Sequence, residues 1–209
     1  MKKKGNLLIA AGLIMIAAAF ILTGYNIWDN RRAEKTAAED AVVLYEKIEE
    51  ASEVSLDNFT ADDVPLYVRY PDMEMPVIDI NGSGYIGVLE IPSLDLELPV
   101  KGTYSLAELK ASPCRYSGSV YKDDMIICGH NYQSHFGSLK NLEIGSYVNF
   151  TDGDGNLFVY EVSDILQIDG TDIEGMEEKQ EGDSWDMTLF TCTLDGRKRE
   201  TIRLVRIDK

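Results

Sequence analysis

The 209-residue chain carries 36 acidic residues against 20 basic ones, a net charge of −16. Its length leaves room for one sizeable domain plus appendages. The charge is unevenly spread: residues 1–35 hold six Lys/Arg and two Asp/Glu, so the remainder carries about −20, a poor match for nucleic acid or for close approach to an anionic lipid surface.

Lys2, Lys3 and Lys4 precede Asn6 to Tyr25, about twenty uncharged residues dominated by Leu, Ile, Ala and Met. Such a run crosses a hydrocarbon core roughly 30 Å thick. It exceeds the ~7–15-residue core of a cleaved signal peptide and no small-x-small cleavage site follows, so it reads as a retained signal anchor. Arg31, Arg32 and Lys35 lie beyond it with Asp29 and Glu34 among them, and the charge pattern by itself leaves the orientation open.

From Arg32 to Ser52 the chain is rich in Ala, Glu and Lys, and Ala37, Ala41, Leu44, Ile48 and Ala51 recur at steps of four and three. That spacing predicts a helix with one apolar stripe, suited to a stalk, to packing against a domain, or to weak self-association; packing is the simplest of the three. Residues 53–83, with Pro65, Pro71, Pro76 and the Asn81-Gly82-Ser83-Gly84 cluster, read as an irregular linker lying on the domain surface. The expected organisation is a basic tail (1–5), a membrane span (6–25), a helical stalk and linker (26–83) and a folded domain (84–209).

The domain reads as short β-like runs between turn signals: 85–91, 94–100, 125–128, 147–151, 157–168, 187–192 and 201–207. Helical patterns are few and short, at Ser105–Lys110 and Phe136–Leu142. The expected class is mainly β, a closed barrel or a sandwich. Asp152-Gly153-Asp154-Gly155 lacks the downstream Glu of an EF-hand and is expected to be a hairpin turn.

The chemistry concentrates near the C-terminus. Thr188-Leu189-Phe190-Thr191-Cys192-Thr193 is an apolar strand delivering a cysteine to its end, followed by the Leu194-Asp195-Gly196 turn and a basic strand, Arg197 to Arg206. His130 stands earlier, at the end of another strand, in Cys128-Gly129-His130-Asn131. A free thiol is only roughly 3% thiolate at pH 7, so an attacking cysteine needs a neighbouring base or cation. His130 is one candidate; Arg197, Arg199, Arg203 and Arg206 all follow Cys192, with Arg203 two strand repeats beyond Arg199 on the same face. His135, the remaining histidine, is expected to be a surface or packing residue. Asn131 would orient the histidine, touch substrate or simply make a turn, and Thr191 would present its hydroxyl or serve as a strand residue. Cys114 and Cys128 suit either a disulfide or a reduced pair of small hydrophobes, the simpler reading.

Thr-Leu-Phe-Thr-Cys with Arg199 seven residues on, and an upstream Gly-His-Asn, resembles the sortase family of Gram-positive cell-surface cysteine transpeptidases. Ile86-Gly87-Val88-Leu89-Glu90-Ile91-Pro92, Leu96 to Val100 and His135-Phe136-Gly137-Ser138-Leu139 extend the likeness from about Tyr85 to the end. The resemblance implies an eight-stranded barrel outside the cell with the N-terminus inside. It implies His130, Cys192 and Arg199 as catalytic residues, with Arg203 the runner-up for the arginine. Its chemistry is a two-step acyl transfer: Cys192 attacks within a C-terminal sorting signal of a secreted protein, and an amine of a cell-wall precursor or pilin resolves the thioacyl enzyme. The order His before Cys differs from papain-like proteases. No cofactor is expected, although some sortases hold calcium, for which the acidic Asp169–Glu181 stretch would be the place. Gly-His-Asn with Phe-Gly-Ser-Leu suggests class B or D, but no helix-rich insert typical of many class B members is evident before Asp186. The absence of an Asp-Pro-aromatic lid tripeptide and of a second span disfavours the pilus-polymerising subclass. A hydrolytic cysteine peptidase and a catalytically silent membrane-anchored binding module are the alternatives.

Overall fold

In the computed structural model the apolar run and the Ala/Glu/Lys-rich segment after it form one helix, α1 (Lys2–Leu56). Residues 2–56, 64–179 and 182–209 are described, with the α1 side chains described over 9–51. Leu13, Ile14, Met15, Phe20, Ile21 and Leu22 are all exposed. A helix apolar on every side needs lipid or a large core around it, and among the described residues this one alone has the length and composition to cross a membrane. Past Asp29 the helix turns one-sided: Ala33, Ala37, Ala41, Leu44 and Ile48 are buried, at steps of four and three. The small alanines let the helix lie close to the domain, and Leu44 and Ile48 pack on Ile80, Tyr85 and Val88. Polar ties flank this seam. The Tyr85 hydroxyl donates to Asp40, the Tyr45 hydroxyl to Glu90 at 2.7 Å, and Lys47 to the Asp79 carbonyl at 2.8 Å.

Residues 57–63 of the expected linker lie outside the described residues. The rest of it packs on the domain. A single turn, α2 (Leu66–Arg69), follows Pro65. Tyr67 stacks on Tyr121 with ring centres 5.0 Å apart, and Met75 is buried. The segment then enters the sheet as β1 (Ile78–Ile80), earlier than the expected start at Gly84. Asn81 and Gly82, at φ 54° and 83°, form the two-residue turn that pairs Ile80 with Ser83. Asn-Gly tolerates positive φ at both positions, which is why it makes a hairpin here and not the end of a linker.

The following strands are β2 (Ser83–Ile91), β3 (Leu96–Lys101), β4 (Cys114–Ser117), β5 (Met125–Cys128), β6 (Tyr147–Asp152) and β7 (Leu157–Asp169). A short helix, α3 (Ile173–Glu177), precedes β8 (Met187–Cys192) and β9 (Lys198–Arg206). The sheet order is β1-β2-β3-β4-β5-β8-β9-β7-β6, and β6 pairs back onto β2. Eight strands therefore close a barrel and β1 is an additional strand. It shares one edge of β2 with β6: β1 lies opposite 83–85 and β6 opposite 87–90. Gly87 stands at that changeover, where a Cβ would come within 2.1 Å of the Thr151 carbonyl oxygen.

Inside the barrel, Ile86, Leu89 and Ile91 of β2 meet Val148, Phe150, Phe158, Met187, Leu189, Ile202 and Leu204. Tyr85 and Val88, pointing the other way, are covered by α1, so β2 is buried on both faces. The hairpin expected at 152–155 forms around Asp152, whose buried carboxylate accepts from Tyr121 (2.7 Å) and from the amides of Asp154 (3.0 Å) and Asn156 (2.9 Å). The helical patterns at 105–110 and 136–142 shrink to single 3₁₀ turns, Glu108–Lys110 and Leu139–Asn141.

Candidate active site

Three neighbouring strands bring the thiol, the imidazole and a guanidinium together. β5 and β8 run parallel with Cys128 opposite Phe190, and the Gly129 amide extends the ladder by donating to the Phe190 carbonyl at 3.1 Å. Two residues past that pair on each strand stand His130 and Cys192. On the other side of β8, Cys192 is the direct partner of Arg199 in antiparallel β9, and directly opposed residues project from the same face of a sheet. His130, Cys192 and Arg199 all line one groove of about 380 Å³. Cys192 is exposed, whereas His130 and Arg199 are half-buried.

Local sequence explains how each is held. Gly129 lets the Phe136 ring lie against the strand exit: a Cβ there would stand 2.7 Å from that ring. The loop beyond His130 folds back on itself, with the Phe136 amide donating to the His130 carbonyl at 3.1 Å and the Gly137 amide to the Tyr132 carbonyl at 2.8 Å. The hairpin after Cys192 is fixed by Asp195, whose carboxylate accepts from the Thr193 hydroxyl (2.6 Å) and the Arg197 amide (3.1 Å). These bonds hold the Asp195 carboxyl below its usual range. Gly170 at the end of β7 donates to the Arg197 carbonyl at 2.8 Å, and its missing side chain leaves room for the Arg199 guanidinium. Burial lowers the proton affinity of His130; the Asp29 carboxylate opposes this and Lys110 adds to it.

The groove walls are apolar and aromatic. Tyr104, Leu106, Leu109 and Tyr116 form one side, and Ile173 and Met176 of α3 the other. A second, more polar groove of about 510 Å³ opens on the far side of Cys192, lined by Asn131, Lys140, Gln167, Leu194 and Glu200. Asn131 belongs to that second groove, and Thr191 borders both. The Thr191 side chain is buried.

Arg203 does not join the thiol. It is only 4% exposed and pairs with Thr188, at the opposite end of β8 from Cys192. Its guanidinium donates to the carbonyls of Gly175 (2.7 Å) and Met176 (3.1 Å) and to the Thr188 hydroxyl (2.5 Å), and lies 4.5 Å over the Trp185 ring. This residue clamps α3, and with it one groove wall, onto the barrel. Arg203→Lys should therefore act on stability: losing charged hydrogen bonds to buried carbonyls costs about 1–3 kcal/mol, to be read as a lowered melting temperature.

His135 is fully buried, a packing residue, and burial pushes its pKa down to about 4. Cys114 and Cys128 face each other across β4 and β5 as buried free thiols. Among the described residues no three His, Cys, Asp or Glu side chains gather to hold a metal ion; 180–181, within the acidic Asp169–Glu181 stretch, lie outside them. Sequence reasoning did not find the α3 wall or its clamp. Asp172, which caps α3 by accepting from the Gly175 amide at 2.9 Å, was the available signal.

The profile of the sortase domain family matches residues 89–207. The fold is similar to solved sortases. Against a Clostridium perfringens sortase D5 transpeptidase the TM-score is 0.56 at 19% identity, covering 85% of this chain and 99% of that one. Streptococcus pneumoniae sortase C gives 0.54 at 19% identity, covering 79% and 89%. Corynebacterium diphtheriae sortase A gives 0.53 at 18% identity, covering 90% and 95%. No curated protein matches in sequence. A closed eight-stranded barrel with a thiol, an imidazole and a guanidinium on adjacent strand ends is suited to acyl transfer through a cysteine. The chain belongs to the sortase family of cysteine transpeptidases.

Proposed function

We propose that this is a single-pass membrane enzyme, N-terminus inside and barrel outside, that cleaves a C-terminal sorting signal on secreted proteins and joins them to an amine of a cell-wall precursor or another surface protein. The observation that carries this reading is the row formed by His130, Cys192 and Arg199 along one groove. Burial lowers the proton affinity of His130 and so favours its neutral form, and as the base it takes the Cys192 proton while sulfur bonds to the substrate carbonyl carbon. The same proton goes to the departing amine as the C–N bond breaks, leaving a thioester. In the second step the acceptor amine attacks that carbonyl, its proton passes to His130, and His130 hands that proton to the Cys192 sulfur as the C–S bond breaks. Arg199 holds the oxyanion in both steps, because its charge persists at every working pH. Asn131 touches substrate where the two grooves meet at Cys192, and Thr191, its side chain buried, contributes there through its backbone.

A peptide-library assay on the full chain, with products weighed in the presence and absence of an amine acceptor, tests this. Cleavage with a new amide whenever the amine is present is expected. Hydrolysis unaffected by amine would make it a hydrolytic peptidase, and no cleavage with an unreactive Cys192 a silent binding module.

A further inference from the structure

Asp29, the first charged residue after the apolar run of α1, and its neighbour Asn30 reach the loop that follows His130. The Tyr132 hydroxyl donates to the Asp29 carboxylate at 2.7 Å, and the Ser134 hydroxyl to the Asn30 side-chain oxygen at 3.4 Å. Beside that phenol lies the imidazole: the rings of Tyr132 and His130 stand 4.8 Å apart, tilted by 30°. The buried His135 ring also contacts Tyr132, with centroids 5.5 Å apart. An aromatic ring pinned at its hydroxyl and in contact with a second ring leaves the imidazole beside it few orientations.

We propose that Asp29 is a positioning residue of the active centre: through Tyr132 it fixes the ring of His130, so the residues just past the apolar run belong to the catalytic apparatus. The inference rests on the proton-carrying role given above to His130. The charged and titratable groups around His130 are Asp29 on α1, Lys110 on the 3₁₀ turn, Tyr132 and His135 on its own loop, Cys128 at the end of β5, and, along the groove, Cys192, Arg199, Tyr104, Tyr116, Asp169, Asp172 and Glu177. Of these, Asp29 raises the proton affinity of His130 and Lys110 lowers it. The Tyr132 hydroxyl, pushed up to about 12 chiefly by burial and then by its bond to Asp29, stays a donor across the working range.

The test uses the full chain in lipid nanodiscs and follows single-turnover acylation against pH, with melting temperatures alongside. Asp29→Asn and Tyr132→Phe should each slow acylation by about ten- to a hundredfold, the scale of a small misplacement of a reacting group. The double variant should be no slower than the worse single one, because both break the same link. Asp29→Asn should also shift the acidic limb of the profile to lower pH, since the charge favouring protonated His130 is gone, whereas Tyr132→Phe keeps that charge and should leave the limb nearer its place. Asp29→Glu should restore most of the rate. An Asp29→Asn enzyme with unchanged rate and profile, fully additive losses, or losses matching only the unfolded fraction would overturn the proposal. His130→Ala separates this failure from failure of the wider reading. If His130→Ala is inactive while Asp29→Asn is normal, only the positioning role falls; an active His130→Ala removes both.

Discussion

Cys192→Ala should give no acylated product and no detectable transpeptidation, while melting within the roughly 0.5 kcal/mol typical of exposed substitutions. The side chain is exposed at the end of β8, so its loss removes the one exposed thiol without opening a core cavity. The other two thiols provide an internal control. Burial pushes both Cys114 and Cys128 up to about 12, so neither is appreciably ionised at pH 7 and neither should react with iodoacetamide until the protein unfolds. Native labelling should fall on Cys192 alone and vanish in the Cys192→Ala protein. An active variant, or native labelling that starts at Cys114 or Cys128, would end the assignment of the nucleophile.

Arg199→Lys is expected to reduce single-turnover acylation by roughly 10²–10³, the loss associated with one oxyanion donor. Lysine keeps the positive charge but not the planar fork, and Arg199 is the cross-strand partner of Cys192. Its bonds to the Gly196 and Lys198 carbonyls, both 3.3 Å, are long, so the fold should barely register the change. Arg203→Lys gives the opposite pattern, a lower melting temperature with acylation per folded molecule much less affected. Near-normal acylation by Arg199→Lys would mean that the fork holds no oxyanion.

The strands were readable because their alternation is strong. Tyr147–Asp152 and Met187–Cys192 lie close to where the residue pattern puts them. β4 has four residues between Pro113 and Gly118, too few to show a period, and β1 hides between prolines and its Asn-Gly turn. The site was legible in its residue types but only half in its geometry. Residues two apart share a strand face, so period alone left Arg203 eligible; burial and the carbonyls of α3, which no local pattern reports, set it apart from Arg199. Likewise the stripe of α1 announced packing, but nothing near Asp29 announced a partner 103 positions away.

Because α1 continues without a break from the apolar run into the seam against the barrel, in the proposed membrane setting it would act as a keyed shaft as well as a tether. Asp29 lies four positions beyond Tyr25, an axial distance of about 6 Å, so the His130 loop would ride at the headgroup layer. The same rigidity sets azimuth. Each helical residue turns the shaft by about 100°, and the alanine seam would transmit that angle to the barrel, so the groove would keep one bearing to the plane of the bilayer. Substrates confined to the same membrane would then meet the thiol by lateral diffusion at a fixed height and heading, a two-dimensional encounter in place of a search through volume.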